Sequence, residues 1–172
     1  MIVREATTAD ATACADIYAP YVRDTAISFE LEAPSPEVMS DRIAAALRTF
    51  AWLVLEDDGR IAGYAYATTY RQREAYRWAC ETSVYLEPGR RRTGAGRALY
   101  AALFARLAER GFRLAIAGMT LPNDASVALH RRLGFEDVGT FRNVGWKNGA
   151  WHDVLMMQRA LTDDDGPARR LV

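Results

Sequence analysis

The chain is poor in the residues that hold metals and staple small folds. Its 172 residues include two cysteines, Cys14 and Cys80, and two histidines, His130 and His152. Two cysteines without motif spacing give neither a disulfide framework nor a metal site, so no metal is expected. No apolar run approaches the roughly 18 residues that cross a bilayer, and Met1-Ile2-Val3-Arg4-Glu5 opens no signal-peptide core. A soluble, cytoplasmic protein with no membrane partner is the expectation. Net charge is absent too: 22 basic residues balance 22 acidic ones. A nucleic-acid binder usually carries a basic excess, so no nucleic-acid partner is expected. What is present is half hydrophobic and 10% aromatic, enough for a sizeable core. We read residues 1–161 as one domain and 162–172, with Asp163-Asp164-Asp165-Gly166-Pro167, as a frayed tail.

Ile2 to Glu5 reads as a first strand. A helix from Ala11 to Tyr21 follows, with Pro20 kinking or ending it. Ser35-Pro36-Glu37 starts a second helix that runs to about Thr49. Trp52 to Glu56 and Arg60 to Thr68 are strands joined by the turn Asp57-Asp58-Gly59. Tyr70 to Arg77 is a polar, aromatic and basic loop before a central strand, Trp78 to Glu87. A long helix from Gly94 ends at Gly111. Then come an apolar strand, Phe112 to Met119, and a helix, Ala125 to Leu133. Two strands, Phe135 to Trp146 and Trp151 to Arg159, close the chain around Lys147-Asn148-Gly149. This order predicts an α+β fold: a mixed, mostly antiparallel central sheet with helices on both faces.

One stretch organises the rest. Glu81-Thr82-Ser83-Val84-Tyr85-Leu86 is a strand that Pro88-Gly89 ends. A basic loop with Arg90, Arg91, Arg92 and Thr93 then enters a helix through Gly94-Ala95-Gly96-Arg97. Free N–H groups at such a helix start, with the macrodipole, make an anion site, and the arginines suit a phosphate or diphosphate. A Walker loop would need Lys-Ser/Thr after Gly96, where Arg97-Ala98 stands. A dinucleotide fingerprint would need glycine or alanine at 99, which is leucine.

The segment Arg91-x-x-Gly94-x-Gly96 resembles the diphosphate loop of the GNAT N-acetyltransferases. Asn123-Asp124-Ala125-Ser126, continuing to His130 and Gly134-Phe135, resembles the helix that follows it in that family. Glu81-x-Ser83-Val84-Tyr85, Leu121-Pro122-Asn123-Asp124 and Trp151-His152-Asp153-Val154 are similar to the phosphinothricin and methionine sulfoximine acetyltransferase branch. The resemblance spans Val3 to about Leu161. It implies the GNAT fold, acetyl-CoA as cosubstrate, a small-molecule amine acceptor and a homodimer. It places Arg91, Arg92, Thr93, Gly94, Ala95, Gly96 and Arg97 on the diphosphate, and the main chain of Val84, Tyr85 and Leu86 along the pantetheine arm. Asn123 and Ser126 fall on the cofactor side of the cleft.

Two residues stand out as acid–base groups. Glu81 is a carboxylate in an apolar strand; partial burial would raise its pKa and suit it to general-base work. An ion pair with Arg71, Arg73 or Arg77 is the alternative. His130 shares a helical face with Val127 and Leu133, as a hydrogen-bonded core histidine would. The family position, where many members carry a tyrosine, implies instead an acid–base partner of Glu81 near the sulfur. For the acceptor, Arg71, Gln72, Arg73 and Tyr76 precede the central strand, and arginine can clamp a carboxylate. Phe29, Glu30 and Thr82 complete the candidate pocket. Acetyl transfer to the amine of a small amino acid or analogue is the leading expectation. Protein or peptide N-acetylation and a non-catalytic CoA-binding module are the alternatives.

Overall fold

The computed structural model describes residues 1–90, 93–163, 166 and 171. Arg91 and Arg92 of the basic loop, and most of the segment read as a frayed tail, lie outside the described residues. Seven strands form one sheet in the order β1-β2-β3-β4-β5-β7-β6. They are β1 Ile2–Glu5, β2 Trp52–Asp57, β3 Arg60–Thr69, β4 Ala79–Leu86, β5 Leu114–Thr120, β6 Glu136–Lys147 and β7 Ala150–Ala160. Every neighbouring pair is antiparallel except β4 and β5. Four helices complete the fold: α1 Ala11–Asp24, α2 Pro36–Thr49, α3 Ala95–Glu109 and α4 Asp124–Arg132. This is the mixed, mostly antiparallel α+β architecture expected from the element order.

Local chemistry explains most boundaries. The Ser35 hydroxyl accepts from the Val38 N–H at 3.3 Å, and Pro36 opens α2 where no N–H is needed. The hairpins turn at Asp58-Gly59 and Asn148-Gly149, where both residues of each pair have positive φ, the geometry that matches strand twist. Lys147 is therefore the last residue of β6, not part of the turn. Pro20 neither ends nor interrupts α1, which continues to Asp24. One lost backbone bond is outweighed by packing, since Cys14, Ile17, Tyr18 and Val22 are all buried on that helix.

Two cores sandwich the sheet. On one face α3 sets Leu99, Leu103, Phe104 and Leu107 against Leu53, Leu55, Ala65 and Cys80, with Val127 and Leu129 of α4 beside them. On the other, α1 and α2 cover Trp52, Val54 and Tyr64. The alternation of β4 follows from this arrangement. Cys80, Val84 and Leu86 turn to the α3 core, whereas Tyr85 turns to the α1–α2 core. Leu103 is fully buried at the centre of the α3 contact. Leu103→Ala is expected to lower unfolding free energy by about 2–5 kcal/mol, read from a urea titration monitored by the chain's tryptophans.

Candidate active site

The two central strands part. Pairing between β4 and β5 covers only Ala79–Leu114, Cys80–Ala115 and Glu81–Ile116, while β3 follows β4 as far as Leu86. The Glu87 N–H donates to Ala62 O at 3.0 Å. Ladder alternation then assigns the odd-numbered residues of β4 to β3. Val84 and Leu86 turn their main-chain groups to the side that β5 has left. Of these, Leu86 O accepts from the Tyr21 hydroxyl at 2.6 Å. The main chain of Tyr85 is committed to β3 and its ring to Tyr18 and Tyr21. Of the three residues assigned to the cofactor arm, only Val84 and Leu86 turn main-chain groups to the gap. The gap holds a cavity of about 50 Å³, lined among others by Ile27, Thr82, Val84, Tyr100, Asn123, Ser126 and His130.

The candidate acid–base residues stand on opposite faces of the sheet. Glu81 shares the face of Tyr85 and lies near Tyr66. Among the described residues its carboxylate has no hydrogen-bond or ion-pair partner. Arg77 pairs with Glu74 instead, and Arg71 lies over the Tyr70 and Tyr76 rings at 5.1 and 5.5 Å. Half-burial without a partner raises the Glu81 pKa above the usual carboxylate value. His130 lies on the α3–α4 face, 3% exposed. Its Nδ1 is 2.8 Å from Ser126 O and its Nε2 is 3.0 Å from the Tyr100 hydroxyl. A carbonyl only accepts, so Nδ1 carries a proton and the neutral ring takes the Tyr100 O–H at Nε2. Burial lowers the His130 pKa, which keeps the ring neutral. The Thr82 hydroxyl donates to Ile116 O at 3.2 Å and neighbours the Tyr100 hydroxyl. His130 is thus both a bonded core histidine and a wall of the gap. Tyr100, the group nearest its Nε2, was not singled out from sequence; its spacing among the apolar residues of α3 reads only as core.

At the other end of the gap, α3 begins at Gly94, whose φ of +81° no side chain adopts easily. Among the described residues its N-terminus has no side-chain cap and no acid in the first turn, so the first N–H groups face outward with the dipole behind them. A Cβ on Gly94 would touch nothing, whereas one on Gly96 would lie 3.1 Å from Leu129. Gly94 is required by backbone conformation and Gly96 by the close approach of α4. Ala95 is buried beneath the turn; Thr93 and Arg97 are exposed. Arg90 is committed to Asp57 at 2.7 Å. Asn123 caps α4, accepting from the Ser126 N–H at 3.3 Å. A groove of about 570 Å³ between α3 and the end of α4 carries Arg97, Arg132 and Arg159.

Of the residues expected to bind the acceptor, Arg71, Gln72 and Arg73 are exposed and Tyr76 is 37% exposed. Glu30 is not a free wall: Arg42 holds both its carboxylate oxygens at 2.7 and 2.9 Å, and the Tyr18 hydroxyl donates to it at 2.9 Å. These partners hold its pKa low against desolvation. Phe29 is half-exposed and tilts toward His152, with ring centroids 6.2 Å apart. Sequence reading also passed over Lys147 as a turn residue. It is buried, and its ammonium donates to Val22 O, Ser28 O and Glu30 O. The sequence did hold a signal for it, because this is the only lysine in the chain.

Residues 3–156 match the family described as Acetyltransferase (GNAT) domain. The chain belongs to the GNAT acetyltransferase family. As a family member it is an acetyltransferase that uses acetyl-CoA. It is 39% identical over 157 residues to a phosphinothricin N-acetyltransferase of Streptomyces viridochromogenes, covering 91% of this chain and 86% of that protein. An L-methionine sulfoximine/L-methionine sulfone acetyltransferase of Salmonella typhimurium is 31% identical over 178 residues, covering 97% and 98%. A phosphinothricin acetyltransferase from Sinorhizobium meliloti, solved with acetyl-CoA, superposes with a TM-score of 0.90 at 36% identity, covering 99% of this chain and 92% of that one.

The unpaired Glu81 of this acetyltransferase has a consequence for stability. A carboxyl whose pKa is raised on folding supports the fold while protonated, and that support is lost as pH rises through the folded pKa. Glu81→Gln is therefore expected to raise Tm at neutral pH. The gain should vanish at pH 4, where wild type is largely protonated at this site. Parallel thermal melts at the two pH values check it.

Proposed function

We propose that the enzyme transfers acetyl from acetyl-CoA to the amino group of a small amino acid or analogue of the phosphinothricin, methionine sulfoximine or methionine sulfone type, directly within a ternary complex. The observation that carries this reading is the parted β4 strand, running from a half-buried, unpaired carboxylate toward the bare N-terminus of α3. The diphosphate sits on the N–H groups after Gly94, helped by Arg97; Arg91 and Arg92 belong to the same loop. The pantetheine arm follows the gap-facing main-chain groups of Val84 and the N–H of Leu86, whose carbonyl the Tyr21 hydroxyl already holds. Arg71 and Arg73 receive the acceptor carboxylate, as their charge and planar donors suit, with Gln72, Tyr76 and Phe29 around it.

Glu81 takes a proton from the acceptor ammonium on its face of the sheet. The freed amine attacks the thioester carbonyl, and the Val84 N–H stabilises the tetrahedral oxyanion. As the C–S bond breaks, the nitrogen gives up its second proton, which passes by way of the Tyr100 hydroxyl, held by His130, to the CoA thiolate. Their buried O–H···N pair stands opposite Glu81, so base and acid act from the two faces through the gap. No covalent enzyme intermediate is invoked: Cys14 and Cys80 are buried, and desolvation pushes both thiols up to about 12. Free buried thiols suit a reducing cytoplasm. The enzyme works as a homodimer through the β6–β7 hairpin, where Val138, Phe141, Trp146 and Trp151 are each more than half exposed.

Purified enzyme is expected to release CoA thiol from acetyl-CoA with phosphinothricin, methionine sulfoximine or methionine sulfone. Turnover confined to peptides would favour protein acetylation, and CoA binding without turnover would favour a non-catalytic module. Glu81→Gln should keep acetyl-CoA affinity and lose about 10²–10⁴ in kcat. His130→Ala should lose kcat similarly, but it should also lower Tm, because it empties a buried site and strands the Tyr100 hydroxyl. Wild-type kcat in both variants would refute the acid–base assignment.

A further inference from the structure

All other basic side chains in this sequence are arginine; Lys147 alone is lysine. It closes β6 at 5% exposure, and its ammonium donates to Val22 O at 2.6 Å, Ser28 O at 2.6 Å and Glu30 O at 2.8 Å. The choice of residue has a physical reason. Three ammonium N–H groups radiate as a tripod and reach three separate carbonyls, whereas guanidinium donors lie in one plane. Those carbonyls belong to the end of α1 and to the loop of residues 25–34, more than a hundred positions away in sequence. A second contact joins the same two pieces. Gly145 faces the Phe29 ring so closely that a Cβ there would lie 2.2 Å from Cε2. His152 Nε2 donates to Lys147 O at 3.0 Å and steadies the hairpin side. On its far side the loop is held by the Glu30 contacts to Arg42 and Tyr18. Between these anchors it carries Ile27 into the wall of the β4–β5 gap.

We infer that Lys147 is a positioning residue: its ammonium ties the 25–34 loop to the β6–β7 hairpin and thereby sets Ile27 and Phe29 as the wall of the acceptor site. It touches no reacting atom and acts through the loop. The inference rests on the acyl-transfer reading of the gap. The groups assigned to the donor, at the α3 N-terminus and on the β4 main chain, make no contact with Lys147, whose ammonium bonds only Val22 O, Ser28 O and Glu30 O among the described residues. The clasp therefore governs the acceptor and leaves acetyl-CoA alone.

Lys147→Met keeps the length and apolar stem of the side chain and removes the donors. It is expected to lower kcat/KM for the acceptor about 10- to 100-fold, with KM for acetyl-CoA unchanged. Lys147→Arg should not rescue the loss, since its planar fork cannot reach three carbonyls. Amide exchange measured without substrate should accelerate in residues 25–32 of Lys147→Met and stay at wild-type rates in α3 and β4. Unchanged exchange in that loop, or equal weakening of both substrates, overturns the proposal. If Lys147→Met does not fold, Gly145→Ala serves: it leaves the ammonium intact, displaces Phe29 and should give the same acceptor-only loss. Wild-type acceptor kinetics in Gly145→Ala would count against the clasp. The exchange experiment needs no turnover, so an enzyme that acetylates none of the tested acceptors yet shows the loop effect refutes the function proposed above and not the clasp.

Discussion

The separation of β4 from β5 beyond Glu81 and Ile116 is the constraint on which the rest of this structure depends. Elsewhere in the sheet, pairing satisfies the main chain and closes the interior. Here a central strand keeps one neighbour and loses the other, leaving polar groups in the middle of a sheet instead of at its rim. Buried unsatisfied main-chain groups are rarely tolerated, so the gap is a place for a ligand that supplies partners of its own. Among the described residues nothing caps the positive end of the helix that starts beside it, and the two faces of the sheet present different chemistry to the gap. One offers an unpaired carboxylate, the other a tyrosine hydroxyl bonded to imidazole.

Much of this was legible in the residues. Ser35-Pro36 marks a helix start, Asn148-Gly149 a tight hairpin, and Gly94 a special entry to α3; each is a local rule that tertiary packing had no reason to override. Glu81 announced itself as a charge in an apolar strand. Residues whose meaning depends on distant partners were misread or passed over. Pro20 looked like a stop, but packing against the sheet carries α1 through it. Glu30 looked like a free pocket wall and Lys147 like a turn residue, because nothing nearby in sequence shows Arg42 or the carbonyls of residues 22, 28 and 30. Tyr100 was hidden differently: its spacing on α3 is that of any core residue, and only the arrival of α4 places an imidazole against its hydroxyl.

The position of His130 shows how a buried residue can serve packing and still line a cavity. Both ring nitrogens are occupied and the ring is nearly inaccessible, as for a structural histidine. The same two bonds fix its tautomer and orient the hydroxyl that completes the wall of the gap. Glu81 is the opposite case. Its carboxylate is left without a partner, and burial, which raises its proton affinity, works against the fold at neutral pH. Stability is given up on one face and secured on the other.

The solitary lysine has one more consequence. An enzyme that works beside acetyl-CoA is exposed to slow, uncatalysed acylation of its own side-chain amines by the thioester. With arginine at every other basic position and the one ε-ammonium sealed beneath a loop, this chain offers that side reaction almost nothing to attack.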